Sequence, residues 1–150
     1  SVKSTPRRLR LRLNLYPPYL AAGIRVPYIA PDWREARVEL RARWWNRNYV
    51  GTHFGGSLFA MTDPFYMLLY IQLLGRDYIV WDYAAAIRFA RPGRGTVSAR
   101  FVLDDDDLRR VRAGTKAGEK LLLDHAVDVT DADGEIVARV KRTLYFRRKR

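Results

Sequence analysis

The period of the hydrophobic positions changes several times along the chain, and each change predicts a different element. Arg37 to Trp44 alternates strictly, with Val38, Leu40, Ala42 and Trp44 on one side and charged residues on the other. Successive strand side chains point to opposite faces, so this run predicts a strand that turns those four residues toward a core. Ile24 to Ile29 is a short apolar run containing Pro27, suited to an edge strand that can spare a backbone N–H. Ser57 to Leu74 lacks any period-two pattern and is apolar on nearly every face, which predicts a buried helix. Strand signals return at Tyr78–Ala90, Gly95–Leu103, Leu121–Thr130 and Glu135–Phe146. The last two flank Asp131-Ala132-Asp133-Gly134, whose Asp-Gly pair predicts a hairpin.

Two stretches admit two readings. Thr5 and Pro6 suit an N-cap and a first helical position, with a helix running to Leu15 and stopping before Pro17-Pro18. Leu9, Leu11 and Leu13, however, alternate with arginines as a strand would. Asp104 to Asp107 places four acids before Leu108-Arg109-Arg110-Val111, which suits a helix start, where the partial positive charge favours carboxylates. Metal binding is the weaker reading, because adjacent carboxylates point apart unless a loop shapes them. The order of elements is a helix, two strands, a long buried helix and four strands, an α+β layout in which an antiparallel sheet wraps around one helix. No internal repeat or linker interrupts it, so residues 1–150 are expected to form a single domain with basic ends at 1–4 and 147–150.

Composition narrows the class. A hydrophobic fraction of 48% with four Trp and nine Tyr excludes a disordered polar chain. With no Cys, disulfides and cysteine-ligated metals are excluded. Arginines interrupt the first twelve residues, so no signal-peptide layout is expected there, and the apolar stretch Pro64–Leu74 is short for a membrane span. A soluble cytoplasmic protein is the expectation. The net charge of +12 comes from five basic residues in 1–12 and seven in 139–150, while residues 13–138 balance. Those ends read as solvated tails, or as attraction for anionic partners such as coenzyme A phosphates, acidic lipid or nucleic acid.

The chemistry concentrates in Asn48 to Pro64. Gly55 and Gly56 at the start of a buried helix allow close approach of another group, and the first helical N–H groups lack internal partners, so they can receive a negatively charging oxygen. Asp63 follows among Phe59, Met61, Phe65, Met67, Leu68 and Leu69, company in which a carboxylate is a candidate functional group. The alternative is structural: Asp63-Pro64 is also a favoured N-cap and first-turn pair.

Asn48-x-x-Gly51-x-x-Phe54-Gly55-Gly56 resembles the Asn-x-x-Gly-x-x-His-Gly-Gly motif of hotdog-fold thioesterases of the phenylacetyl-CoA thioesterase type. In that group the catalytic Asp lies nine residues after the motif His, and Asp63 lies nine after Phe54. Ile87-Arg88-Phe89-Ala90-Arg91-Pro92-Gly93 resembles the Phe-x-Arg-Pro strand end of the same proteins. Gly51 to Leu58, with Tyr78-Ile79-Val80-Trp81-Asp82 downstream, is similar to a bacterial hotdog branch described as a domain of unknown function. The resemblance spans Pro17 to Phe146 and departs from the motif at Phe54, which stands where the His is expected, with His53 beside it.

The resemblance implies a hotdog fold, a homodimer with one continuous sheet, further stacking into a homotetramer, and hydrolysis of an acyl-CoA thioester at the dimer interface. Asp63 would be the general base or nucleophile, the Gly55 N–H would hold the oxyanion, and Asn48 would orient water or the thioester. Gly56, His53 and Phe54 would shape the substrate site, and Arg88, Arg91 and Arg94 would meet the coenzyme A phosphates. No metal or bound cofactor is expected, coenzyme A being part of the substrate. Phe54 favours an alternative, a non-catalytic acyl-CoA or fatty-acyl binding protein. Nucleic-acid binding through the basic ends and a hotdog dehydratase are weaker readings. His125, in a strand, reads as structural.

Overall fold

The computed structural model describes residues 4–150, so Lys3 and the first part of the expected basic end lie outside them. Eleven elements follow in order among the described residues: α1 (Pro6–Asn14), α2 (Pro17–Ala22), β1 (Ile24–Ile29), β2 (Glu35–Leu40), α3 (Gly55–Ala60), α4 (Phe65–Leu74), β3 (Tyr78–Phe89), β4 (Val97–Val102), α5 (Asp105–Gly114), β5 (Lys120–Thr130) and β6 (Ile136–Arg148). The strands form one antiparallel sheet in the order β1-β2-β4-β5-β6-β3. Its inner face packs on α4 through Val38, Leu40, Ala99, Phe101, Val127, Val129, Val140, Leu144 and Phe146. This is the helix-wrapping α+β layout expected from the sequence.

Helix wins over strand at the start. Thr5 accepts a hydrogen bond from the Arg8 N–H, Pro6 opens the helix, and Leu9 and Leu13, one turn apart, pack against the core while Leu11 is half exposed. The helix also closes the β1 edge of the sheet. Asn14 imitates a strand partner, donating from Nδ2 to the Val26 carbonyl at 3.0 Å and accepting from the Val26 N–H at 2.8 Å. Pro17-Pro18 ends α1 as expected but also begins α2, because proline is tolerated in the first turn, where no N–H is needed.

One expectation needs correction. β2 ends at Leu40, paired with Val97 at the end of β4, so the chain beyond it has no partner strand. Trp44 therefore leaves the sheet and is 85% exposed, stacked edge-on against Trp45, and does not face the core. The long central helix of the expected layout is present over 55–74 as α3 and α4, with a break between them at Met61 to Pro64. Proline has no N–H to continue the ladder, and Thr62 and Asp63 donate instead to the carbonyls of Phe59 and Ala60, both at 3.1 Å, in a tightened last turn. The run 55–74 has the length and hydropathy of a membrane span, yet Leu58, Met61, Phe65, Tyr66, Leu69, Tyr70 and Leu74 are buried against the sheet, as in a core helix.

The buried tyrosines on α4 satisfy their hydroxyls across the core. Tyr66 donates to the Ala126 carbonyl at 3.1 Å, and Tyr70 meets His125 Nε2 at 2.6 Å, giving His125 the structural part expected of it. Burial lowers the His125 pKa, so the neutral ring is favoured. The four acids resolve as a helix start: Asp104 and Asp107 form a reciprocal capping box on α5. The β5–β6 turn is held by Asp131, whose Oδ1 accepts from the amides of Asp133 and Glu135, with Gly134 at φ +80°.

The edge formed by β3 differs from the β1 edge. It is twelve residues long, pairs only with β6, and exposes Trp81, Tyr83 and Phe89 together with Ala84, Ala85 and Ala86. No described element covers it.

Candidate functional site

The loop between β2 and α3 is built around Asn48. Its Oδ1 accepts from the Val50 amide at 3.1 Å, the Thr52 amide at 3.0 Å and the Thr52 hydroxyl at 3.1 Å, and Gly51 takes the left-handed φ of +78° that the turn requires. Asn48 is thereby committed to holding the loop. His53 is 4% exposed; its amide donates to the Gly93 carbonyl at 2.9 Å and its Nε2 lies 2.5 Å from the Gly95 carbonyl. A carbonyl can only accept, so Nε2 carries the hydrogen, and Nδ1 is buried without a hydrogen-bond partner among the described residues.

This clamp presents Phe54, Gly55 and Gly56 at the start of α3. Phe54 turns outward, 59% exposed, and its ring lies over Gly56 so closely that a Cβ there would meet it at 2.7 Å. Gly55 is the first residue of α3, so its N–H has no intrahelical acceptor. α3 is only six residues long, so what it offers is local N–H groups and not the dipole of a long helix. Gly55, Asn48, His53 and Arg91 border one cavity of about 430 Å³. Arg91 pairs with Glu135 at 3.3 Å, while Arg88 on β3 and Arg94 in the following loop are exposed and do not line that cavity.

Asp63 lies at the other end of α3, away from the cavity bordered by Gly55. The N-cap position of α4 is Pro64, and no side-chain capping bond is made there, so Asp63 does not close the first turn of its own helix. Its side chain is exposed and borders a mostly apolar groove of about 520 Å³ lined by Leu9, Leu13, Tyr16, Tyr19, Ala60 and Leu68, with Arg12 nearby. Its backbone carbonyl accepts from the Tyr19 hydroxyl, and burial and then the Asp63 charge raise the Tyr19 pKa, keeping that phenol a donor.

Beneath Asp63 the sheet places two groups that the sequence reading did not assign to the site. Asp82 on β3 stands opposite Leu144, and Arg142 on β6 stands between the buried Val140 and Leu144; both point inward. Arg142 is 2% exposed and donates from Nη2 and Nε to the Thr62 hydroxyl at 3.1 and 3.3 Å and from Nη2 to the Phe59 carbonyl at 3.4 Å. Its guanidinium also lies 5.1 Å from the centroid of the Phe59 ring. Its Nη1 is 3.8 Å from Asp82 Oδ1, an ion pair too long for a hydrogen bond. Burial raises the Asp82 pKa; Arg142 opposes the rise, and the nearby Asp63 carboxylate adds to it. The signal for both was present in the strand periodicity, since an acid and an arginine each occupy inward positions of otherwise apolar runs.

The family described as Domain of unknown function (DUF4442) matches residues 7–146. Curated proteins supply no match. Among solved structures, PA5026 of Pseudomonas aeruginosa, a protein of unknown function named as a probable thioesterase, is 21% identical, with a TM-score of 0.79 over 95% of this chain and 96% of its own. Thioesterase HI1161 of Haemophilus influenzae is 15% identical, with a TM-score of 0.68 over 95% and 90%. A mutant form of the phenylacetic acid degradation protein PaaI of Thermus thermophilus is 25% identical, with a TM-score of 0.59 over 86% and 97%. The shared architecture is the hotdog fold.

Proposed function

The chain belongs to the DUF4442 family, and from that premise we propose that it is a cytoplasmic hydrolase of acyl-CoA thioesters whose site forms between two copies. Asp63 carries the reading. It is a carboxylate at a break in the core helix, free of any capping duty, facing an apolar groove. Water attacks the thioester carbonyl while Asp63 takes its proton, the C–S bond breaks, and the thiolate of coenzyme A leaves and is protonated. Direct attack by the carboxylate is the covalent variant of the same step. The free N–H of Gly55 on the second copy receives the developing oxyanion. Asn48 acts by holding the loop that presents this N–H, with His53, Phe54 and Gly56 shaping its surroundings.

The pairing of copies is supported by the contrast between the two sheet edges. Asn14 covers β1, whereas β3 leaves a long, aromatic edge, which natural sheets pair or protect. Two β3 edges joined by a two-fold axis would make one continuous sheet. Arg88, Arg91 and Arg94, all exposed near that edge or its end, are assigned to the coenzyme A phosphates.

A second reading, acyl-CoA binding without hydrolysis, is favoured by Phe54, which stands over Gly56 where the motif has a histidine. Thiol release from a panel of acyl-CoA thioesters, measured for wild type and Asp63→Asn, separates the two. Release by wild type that falls by two orders of magnitude or more in the variant supports hydrolysis. Binding of the panel with no release by either form supports the second reading and overturns the first.

A further inference from the structure

The two cavities at the ends of α3 differ in chemistry. The one at the Gly55 end is bordered by Asn48, Thr52, His53 and Arg91 as well as by Leu58 and Phe89. The one at the Asp63 end, about 520 Å³, is lined by Leu9 and Leu13 of α1 and by Ala60, Pro64 and Leu68 at the helix break. Of the two tyrosines in its wall, Tyr19 has committed its hydroxyl to the Asp63 carbonyl, and the half-exposed Tyr16 packs edge-on against it at 5.4 Å. The charged side chains at this groove, Asp63 and Arg12, are exposed. A polar acyl group laid against such walls loses water without gaining a partner, whereas a hydrocarbon chain gains by leaving water.

The walls are tied to the rest of the fold. Arg10 Nη1 donates to the Pro27 carbonyl at 2.8 Å, and with the two bonds between Asn14 and Val26 it fixes α1 to β1. Tyr19 stacks on Phe65, the first residue of α4, with ring centroids 6.2 Å apart, and its hydroxyl bond to Asp63 fixes α2 to the helix break. Leu9 and Leu13 pack on the core and also line the groove. A groove whose walls are held on both sides is preorganised, and its size discriminates among ligands. Leu9, Leu13 and Tyr16 follow one another along α1 and its exit over about 10 Å, at about 1.5 Å per residue, a span that suits a medium-length acyl chain.

We propose that this groove holds the acyl chain of the thioester, and that the substrates are medium-length, unbranched aliphatic acyl-CoAs whose chain is gauged by α1 and α2. The thioester carbonyl stands at Asp63, and the chain lies along Leu9, Leu13, Ala60 and Leu68. The place of the carbonyl rests on the hydrolase reading, whereas occupation of the groove by the chain does not. Each methylene buried there multiplies kcat/KM about fourfold until the groove is full.

S-octyl coenzyme A, a thioether that cannot be hydrolysed, tests the groove without catalysis. In methyl-labelled protein, nuclear Overhauser contacts from the octyl chain are expected at Leu9, Leu13 and Leu68. Contacts at Leu58 in the other cavity instead, or contacts in neither cavity, overturn the proposal, whether or not the protein hydrolyses anything. Kinetics test the gauge. From butanoyl- to octanoyl-CoA, kcat/KM is expected to rise about fourfold per methylene. Ala60→Leu puts a branched side chain into the groove and is expected to lower the octanoyl-to-butanoyl ratio of kcat/KM by about fourfold or more. Tyr16→Ala, at a half-exposed position that folding tolerates, removes part of the wall and is expected to flatten the rise. A flat length profile in wild type, or the wild-type ratio in both variants, sinks the gauge and leaves the hydrolase standing. Octyl contacts at Leu9, Leu13 and Leu68 with no thiol released from any chain length sink the hydrolase reading and leave the groove as the site of the chain.

Discussion

Replacing Arg142 with Met removes the cation and keeps an unbranched, apolar side chain in its place. The native guanidinium is 2% exposed, makes three contacts of hydrogen-bond length to Thr62 and Phe59, and stands 3.8 Å from Asp82. Deleting one partner of a buried ion pair costs about 3–5 kcal/mol, chiefly because the other charge is left uncompensated. Here the abandoned charge is Asp82, with Asp63 nearby, so the cost depends on pH. Burial already raises the Asp82 pKa, so protonation relieves the variant as pH falls, and the loss is greatest at neutral pH. Urea denaturation at pH 7 should therefore show a loss of about 3–5 kcal/mol that shrinks in acid. Adding Asp82→Asn removes the stranded acid, and the double variant should be more stable than the two single losses imply, with a coupling of roughly 0.5–3 kcal/mol. A loss under about 1 kcal/mol for Arg142→Met, or strict additivity in the cycle, refutes the reasoning.

Three further outcomes follow from the same geometry. Gly55→Pro deletes one N–H at a position where proline fits: Gly55 opens α3, Phe54 before it is already extended at φ −63° and ψ 131°, and the atoms nearest a new Cβ belong to the half-exposed Phe89 ring, which has room to turn aside. The variant should fold normally by circular dichroism and lose roughly 10²–10³-fold in kcat; an unchanged kcat removes Gly55 from the mechanism. Tyr83→Lys and Ala85→Lys on the β3 edge should shift the protein to monomer in light scattering and abolish activity together, and an active monomer would contradict the shared site. Glu35, gripped by Arg100 at 2.7 Å and Arg37 at 2.8 Å, has its pKa lowered to about 2, so its contribution is present above its ordinary 4.5 and fades as pH falls toward 2. Glu35→Gln should therefore cost under about 1 kcal/mol at pH 7, both arginines being half exposed, and nothing near pH 2.

Periodicity revealed what local chemistry decides and missed what partners decide. The alternation of Val38 and Leu40, the turn at Asp131 and the capping acids at Asp104 and Asp107 each act within a few residues, and all were legible. Trp44 was misplaced because alternation continues past Leu40 while the neighbouring strand β4 does not. Leu9 to Leu13 were ambiguous because the same leucines satisfy both periods until the Thr5 cap and the core contacts of Leu9 and Leu13 select the helix. At the site, Asp63 could be singled out from its apolar company, but whether it capped α4 depended on Pro64 taking the capping position. Asp82 and Arg142 lie sixty residues apart in the chain and meet only because β3 and β6 pair, so neither could be assigned to Asp63 before that register was known.

The claim on which the mechanism turns is that Asp63 of one copy works with the Gly55 N–H of another. Mixing Asp63→Asn with Gly55→Pro under conditions that exchange subunits tests it directly. Each parent pair lacks one half of both sites, whereas a mixed pair rebuilds one intact site from the unaltered Gly55 of one chain and the unaltered Asp63 of the other. With random reassortment half the pairs are mixed, so thioester hydrolysis should recover to about a quarter of the wild-type rate. Mixed pairs that form, as shown by mass spectrometry, and remain as inactive as their parents would contradict the shared site.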